Sequence, residues 1–352
     1  MKKILFALLM ALTISLLLVS CGVQGEKGDK GETGAKGDTG EQGEKGETGK
    51  GVDRFEIVDG ELIIYYTDGT SQNLGKIEGE TEGTDGLEYY PLDDGTYVVS
   101  GGTTTFLEKI EIPKYYKGKA VTQIKNRAFQ NAKNLKEITI PDSVTSIGDE
   151  AFQNCTGLTS IEIPSSVTSI GGAAFLYCSS LTNVTIPDSV TSIGYAAFDD
   201  CLSLTYNEYD NAYYLGNDDN PYVVLIKAKN TAITSCTINE NTKVIYGGAF
   251  LDCTSLKSIT IPDSVTSIGY GAFLGCTGLT SITIGDSVTS IGSDAFRGCT
   301  SLTIYCEATS EPSGWYSNWN SSSRPVYWYS EEEPTRSGNY WHYVDGVVTV
   351  WE

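Results

Sequence analysis

Six of the nine cysteines, Cys155, Cys178, Cys201, Cys253, Cys276 and Cys299, recur at one place in a repeating frame, and they are the first candidates for chemistry. A zinc site needs clustered C-x-x-C spacing, which these cysteines lack. A disulfide framework is the other use of many cysteines in an exported chain. Equivalent positions of a stacked repeat form a ladder, however, and a small buried apolar residue suits such a place. Alanine (Ala132) stands there in the first repeat. The ladder therefore reads as unpaired core thiols, while Cys236 and Cys306 lie off it and could be in either state.

His342 is the single histidine, which excludes a two-histidine metal site and leaves a Ser/His/Asp or Cys/His nucleophile one base. No carboxylate pair stands out among the 45 acidic residues. Asp218 and Asp219, with Asn217 and Asn220, offer oxygen atoms to calcium. Neither EF-hand spacing nor a sixth-position glycine accompanies them, so a polar hairpin tip is the reading. No Gly-rich phosphate loop or nucleophile elbow is present. An enzyme is not expected, nor is a metal or a cofactor. A formal charge of −21 repels phosphate and makes nucleic acid an unexpected partner.

These residues are positioned by a chain of distinct segments. Lys2 and Lys3 precede an apolar run from Ile4 to Val19, the pattern of a secretory signal over residues 1–20. Leu18-Val19-Ser20-Cys21 resembles the bacterial lipoprotein box, which implies cleavage before Cys21 and a lipid on its sulfur. No later stretch approaches the roughly 18 apolar residues of a membrane span. Within 21–51, every third residue from Gly22 to Gly49 is glycine, the period demanded by the crowded axis of a collagen triple helix. Proline is absent, and Lys-Gly-acid steps such as Lys27-Gly-Asp29 and Lys36-Gly-Asp38 stand in its place, resembling the interchain charge pairs of bacterial collagen-like segments. A helix of this kind would be about 90 Å long at ~3.1 Å per residue. It would join three chains, so a homotrimer through residues 22–49 is an expected assembly; a flexible charged linker is the alternative.

Residues 52–77 carry the strand-like runs Phe55–Val58, Leu62–Tyr66 and Thr70–Leu74, separated by Asp59-Gly60 and Asp68-Gly69, and predict a three-stranded meander. Such a module is too small to bury a core alone. A polar linker follows over 78–86.

The body of the chain repeats every 23 residues. Phe129, Phe152, Phe175 and Phe198 keep that spacing, as do Phe250, Phe273 and Phe296. The gap from Phe198 to Phe250 contains an insertion, with a predicted hairpin at about 206–227. A fixed period of this length signals a solenoid whose rungs bury their apolar faces only against neighbours. Leu158-x-x-Ile161-x-Ile163 supplies a strand, Val167-x-x-Ile170-Gly171 the next side, and Ala174-Phe175-x-x-Cys178 an outer arc expected as a short helical turn.

The S-I-G-x-x-A-F-x-x-C core resembles the BspA-like class of leucine-rich repeat proteins over about residues 87–329. That resemblance implies a β-rich leucine-rich repeat solenoid of short strands and short helical turns on a bacterial surface, in a family associated with adhesion. The first repeat departs from it at Lys125 and Ala132, as a terminal repeat does. Residues 330–352 predict a hairpin cap around Asp345-Gly346.

The outward strand residues form the candidate binding surface: Thr159, Ser160 and Glu162, then Thr182, Asn183 and Thr185. Lys257, Ser258 and Thr260, with Thr280, Ser281 and Thr283, continue it. The expected function is that of a lipid-anchored adhesin holding a surface or extracellular-matrix protein. Two alternatives are a glycan-binding module at the Trp-rich end and a structural cell-envelope protein. Trp315, Trp319 and Trp328 are otherwise expected to seal the last rung, whose core would lie open without them.

Overall fold

The computed structural model describes residues 51–58, 61–76, 83–335 and 337–351. The expectations for residues 1–20, for Cys21 and for the Gly-x-y run of 22–49 lie outside the described residues.

Val52–Val58, Glu61–Tyr66 and Ser71–Lys76 form an antiparallel sheet in chain order. Its second turn has Gly69 at φ +83°, and the Asp68 carboxylate accepts the Thr70 N–H at 2.9 Å, an Asx turn in which the left-handed position calls for glycine.

From residue 88 onward the chain stacks rungs. The alternation Leu158, Ile161, Ile163 is buried, while Thr159, Ser160 and Glu162 between them are exposed. That side of each rung is a short strand paired parallel with the next, Ser160 opposite Asn183 and Glu162 opposite Thr185. The second side pairs in the same way, Ser146–Ile147 with Ser169–Ile170 and then Ser192–Ile193. Rung separation explains the glycine after each Ser-Ile. A Cβ on Gly148 would stand 2.5 Å from the Asn126 backbone nitrogen of the preceding rung. The buried phenylalanines stack face to face, Phe152 on Phe175 at 5.2 Å and Phe273 on Phe296 at 5.3 Å, within the range for favourable ring pairs.

The outer arc differs from its expectation: no helix occurs among the described residues. Glu150 and Asn154 adopt left-handed φ (55° and 60°), as do Ala173 and Tyr177 a rung later, and those values interrupt any helical run. Alternate arc N–H groups donate to the next rung, Glu150 to Gly172 O, Phe152 to Ala174 O and Asn154 to Leu176 O at 2.7–2.8 Å, while those of Ala151, Gln153 and Cys155 close turns onto the Gly148, Glu150 and Phe152 carbonyls. Inter-rung bonds and single turns thus share the backbone that a helical turn would have satisfied internally.

The insertion carries one strand more than the expected hairpin. It contains three strands, Asn207–Tyr209, Ala212–Leu215 and Val224–Ala228, antiparallel in that order. The last is itself part of a rung, since it pairs parallel with Val244–Ile245. Because successive residues of a strand face opposite ways, it serves two cores. Val224 and Ile226 belong to the cluster running from Val99 to Leu204, and Leu225 to the cluster running on to Trp319. The solenoid is two stacks sharing one partition strand.

Both stacks are closed by hairpins. Glu88–Pro91 and Tyr97–Ser100 pair antiparallel at the start. Lys125, which replaces the repeat glycine, places its ammonium 3.9 Å from the centre of the Tyr90 ring, a cation–π contact over that cap. Tyr340–Val344 and Val347–Val350 form the closing hairpin.

Candidate functional site

The phenylalanines of the sequence frame, Phe129, Phe152, Phe175, Phe198, Phe250, Phe273 and Phe296, are all buried. Thr159, Ser160, Glu162, Thr182, Asn183, Lys257, Ser258, Thr260, Thr280 and Ser281 are exposed, and Thr185 and Thr283 are half-buried. The structure brings these residues together as two patches rather than one. Between them stands the insertion: Thr185 and Gly216 form a bridge on one side. On the other, the Asp210 carboxylate accepts the Thr237 N–H at 2.7 Å and Asn211 donates to the Ser235 carbonyl at 2.9 Å.

Some hydroxyls of this face are already engaged. Thr182 Oγ1 donates to the Thr159 carbonyl at 3.0 Å, and Thr205 Oγ1 to the Thr182 carbonyl at 2.8 Å. Each such threonine keeps its oxygen lone pairs and its methyl group for a ligand. The first patch adds the Glu162 carboxylate and the second the Lys257 ammonium. No concentration of charge accompanies them, so the face suits a broad contact assembled from many weak bonds.

A groove of about 570 Å³ runs along the other strands of the first stack, past Ser146, Ser169 and Ser192. Its floor is self-satisfied: Asn126 Oδ1 accepts the Asp149 N–H at 3.0 Å, and Asp149 Oδ1 accepts the Gly172 N–H at 2.7 Å. The hairpin tip at Asn217–Asn220 is tied down in a similar way. Asn220 is buried and donates to Asp188 Oδ1 at 2.7 Å and to the Asn241 carbonyl at 3.2 Å.

The seam between the stacks holds a cleft of about 500 Å³, lined by Tyr195, Phe198, Asp199, Leu202, Tyr206 and Leu251 among others. Burial raises the Asp199 carboxyl above its ordinary value, opposed by the hydroxyl of Tyr246, which donates to it at 3.1 Å. Burial likewise pushes the Tyr206 phenol up to about 12. Across the seam the rings of Tyr195 and Tyr270 meet edge on at 4.8 Å, over Gly247. Sequence reasoning missed this region. The available signal was tyrosine after the S-I-G triplet at 195 and 270, on either side of the 52-residue gap, where 172 and 247 have glycine.

The tryptophan-rich end is a lid. Trp315, Trp319 and Trp341 are buried. Trp319 meets Phe296 edge on at 5.9 Å and ends the phenylalanine column. Trp315 and Trp341 donate their indole N–H groups to the Val288 and Cys306 carbonyls at 3.0 and 2.9 Å. Rings held in this way offer no face for a sugar to stack on. All eight described cysteines are unpaired and buried, including Cys236 and Cys306. Among the described residues, no cluster of three His, Cys, Asp or Glu side chains gathers to hold a metal ion.

Residues 102–218 and 228–310 match the family described as BspA type leucine rich repeat region, in six copies. No curated protein matches the chain. Among solved structures, the leucine rich repeat protein of T. pallidum is 24% identical, with 57% of this chain and 90% of that one covered and a TM-score of 0.35. A leucine-rich repeat protein from Bacteroides ovatus is 26% identical over 70% of each chain, with a TM-score of 0.32. A leucine rich cell surface protein from Faecalibacterium prausnitzii is 24% identical, covering 69% of this chain and 98% of its own, with a TM-score of 0.24.

Proposed function

Because the chain belongs to the BspA type leucine rich repeat family, we propose that it is a surface-displayed adhesin whose repeat domain holds a protein of a host or neighbouring-cell surface. The observation that carries this reading is the outward strand face. Thr159, Ser160, Glu162, Thr182 and Asn183 stand exposed in fixed register over a column of buried, stacked phenylalanines. A rigid platform loses little entropy on binding, so a surface of modest contacts can still hold a partner. The signal-like residues 1–20 and the lipoprotein-like box at Cys21 support export and lipid anchoring. The Gly-x-y run of 22–49 supports a stalk that carries the head away from the membrane.

Capture of matrix proteins and surface glycans by the purified chain tests the reading. Ser160→Arg, Asn183→Arg, Ser258→Arg and Ser281→Arg together should cut capture of protein at least tenfold with an unchanged melting temperature. Undiminished capture by that variant places the contact elsewhere. Cys21→Ser should release the chain from the detergent phase on phase separation, and retention there would assign the anchor to another residue.

A further inference from the structure

On a regular rung the arc hands three backbone N–H groups to its successor: Arg127, Phe129 and Asn131 donate to the carbonyls of Asp149, Ala151 and Gln153. Ala196, Phe198 and Asp200 occupy these places on the last rung before the seam, with φ 56° at both Ala196 and Asp200. The successor is missing there. Phe198 N–H finds the Tyr246 hydroxyl at 3.0 Å, but the N–H groups of Ala196 and Asp200 have no partner among the described residues. The facing wall mirrors this. Of its three acceptor places, the Ala249 carbonyl takes the Ala228 N–H at 2.8 Å, and the carbonyls of Gly247 and Leu251 accept from no group among the described residues.

The 500 Å³ cleft lies between these walls. Its rim carries exposed apolar side chains, Leu202 at 82% and Leu251 at 45% of full exposure, together with the exposed ring of Tyr195. Asp199 and Asp200 outnumber the Lys227 ammonium on its lining, so its net charge is negative.

We infer that the seam cleft is a docking slot for an extended peptide segment. Its backbone would pair with the open Ala196 and Asp200 N–H groups and Gly247 and Leu251 carbonyls, with an apolar side chain against Leu202 and Leu251 and a basic one beside Asp199 and Asp200. An extended strand presents donors and acceptors at two-residue spacing on both edges, as a rung arc does, and strand addition to unpaired backbone is a general mode of peptide capture. Open main-chain donors on one wall and acceptors on the other match a peptide better than a sugar, whose hydroxyls have no such repeat. The inference rests on the reading of the repeat domain as protein-binding but uses a different surface from the strand face.

The full chain, labelled with nitrogen-15, is titrated with an acetylated, amidated hexapeptide of alternating lysine and phenylalanine. Amide exchange at Ala196 and Asp200 should slow at least tenfold on binding. Leu202→Lys with Leu251→Lys should weaken the peptide at least tenfold at an unchanged melting temperature. A backbone N-methylated peptide, and one with aspartate for lysine, should lose as much. Unprotected Ala196 and Asp200 amides, equal binding of the N-methylated peptide, or binding of cellohexaose in place of the peptide would overturn the slot. If the peptide fails while matrix protein is still captured through the strand face, the slot alone is rejected; failure of both rejects the protein-binding reading as well.

Discussion

The hydroxyl of Tyr246 accepts the Phe198 backbone N–H at 3.0 Å, the role that the Ala174 carbonyl plays for Phe152 and the Ala197 carbonyl for Phe175. A side chain 48 residues away thus replaces a missing rung of backbone. The same hydroxyl donates to Asp199, so both of its hydrogen-bonding capacities serve the first stack.

Tyr246→Phe removes that acceptor and leaves a buried N–H without a partner. The cost should be about 1–3 kcal/mol, the range for stranding one buried polar group. Urea unfolding measures it, with Tyr316→Phe, whose ring is 65% exposed, as the control that should not move. Equal midpoints for the two variants would show that the bond holds nothing.

Phe175→Ala empties a fully buried position stacked on both neighbours at 5.2 and 5.3 Å. A loss of about 3–5 kcal/mol is expected. Thr182→Ala, on the exposed strand face, loses one hydroxyl bond to the Thr159 carbonyl and should cost less than about 1 kcal/mol. Similar melting shifts for the two would contradict the division of the rung into core and face.

Three of the buried thiols give the protein an alkaline limit. Burial pushes Cys201 and Cys236 up to about 12 and Cys253 up to about 11. An unfolded thiol ionises near 8.5, so between that pH and the folded value the native state keeps protons that the unfolded state releases. Stability is therefore fully present below pH 8.5 and falls above it, by up to ~1.4 kcal/mol per pH unit for each thiol. Replacing Cys201 and Cys253 by alanine, the residue already used at 132, should flatten the fall between pH 9 and 10.5 in urea titrations. A slope that ignores the substitutions would assign the effect to other groups.

The stalk is proposed to be a triple helix, and its glycines test that. Gly34→Asp with Gly37→Asp puts side chains on an axis with no room for them. The collagen-type circular dichroism signal should melt at lower temperature, and adhesion to an immobilised ligand should drop, because three linked heads can exceed one-site affinity by roughly 10²–10⁴. A monomer in analytical ultracentrifugation of residues 22–352 at low temperature would leave only a flexible tether.

The period of 23, the inward leucines and isoleucines and the phenylalanine column were legible from spacing alone, since burial in a solenoid follows the repeat. The arc was not. Of its two left-handed places, the second is held by Asn131, Asn154, Asp200 and Gly275, types that favour that conformation, but the first, held by Arg127, Glu150, Ala173 and Ala196, carries no such signature. At Arg127, Glu150 and Ala173 the N–H meets a carbonyl of the next rung, a long-range partner that no local pattern shows. The tryptophan lid was legible in outline, because an open last rung needs a cover, but the indole bonds to Val288 and Cys306 depend on long-range geometry. The partition strand was hidden for a different reason. Val223–Ile226 is a continuous apolar run, and such a run does not announce that its alternate residues face separate cores.

That strand also sets where the molecule yields to force. At the seam Ser192–Ile193 is a sheet edge, the arc keeps the Phe198–Tyr246 bond, and the strand side keeps the Thr185–Gly216 bridge with the Ile186 N–H on the Gly216 carbonyl at 2.8 Å. Neighbouring rungs are joined by full rows of main-chain bonds along both strands and the arc. A protein pulled by its two ends, as an adhesive molecule is under flow, would part there before any rung inside a stack gives way. Optical-tweezer extension should show two separate rips, and Tyr246→Phe should lower the force of the first without changing the second. The insertion would then act as a mechanical fuse, lengthening the chain under load while each stack stays folded.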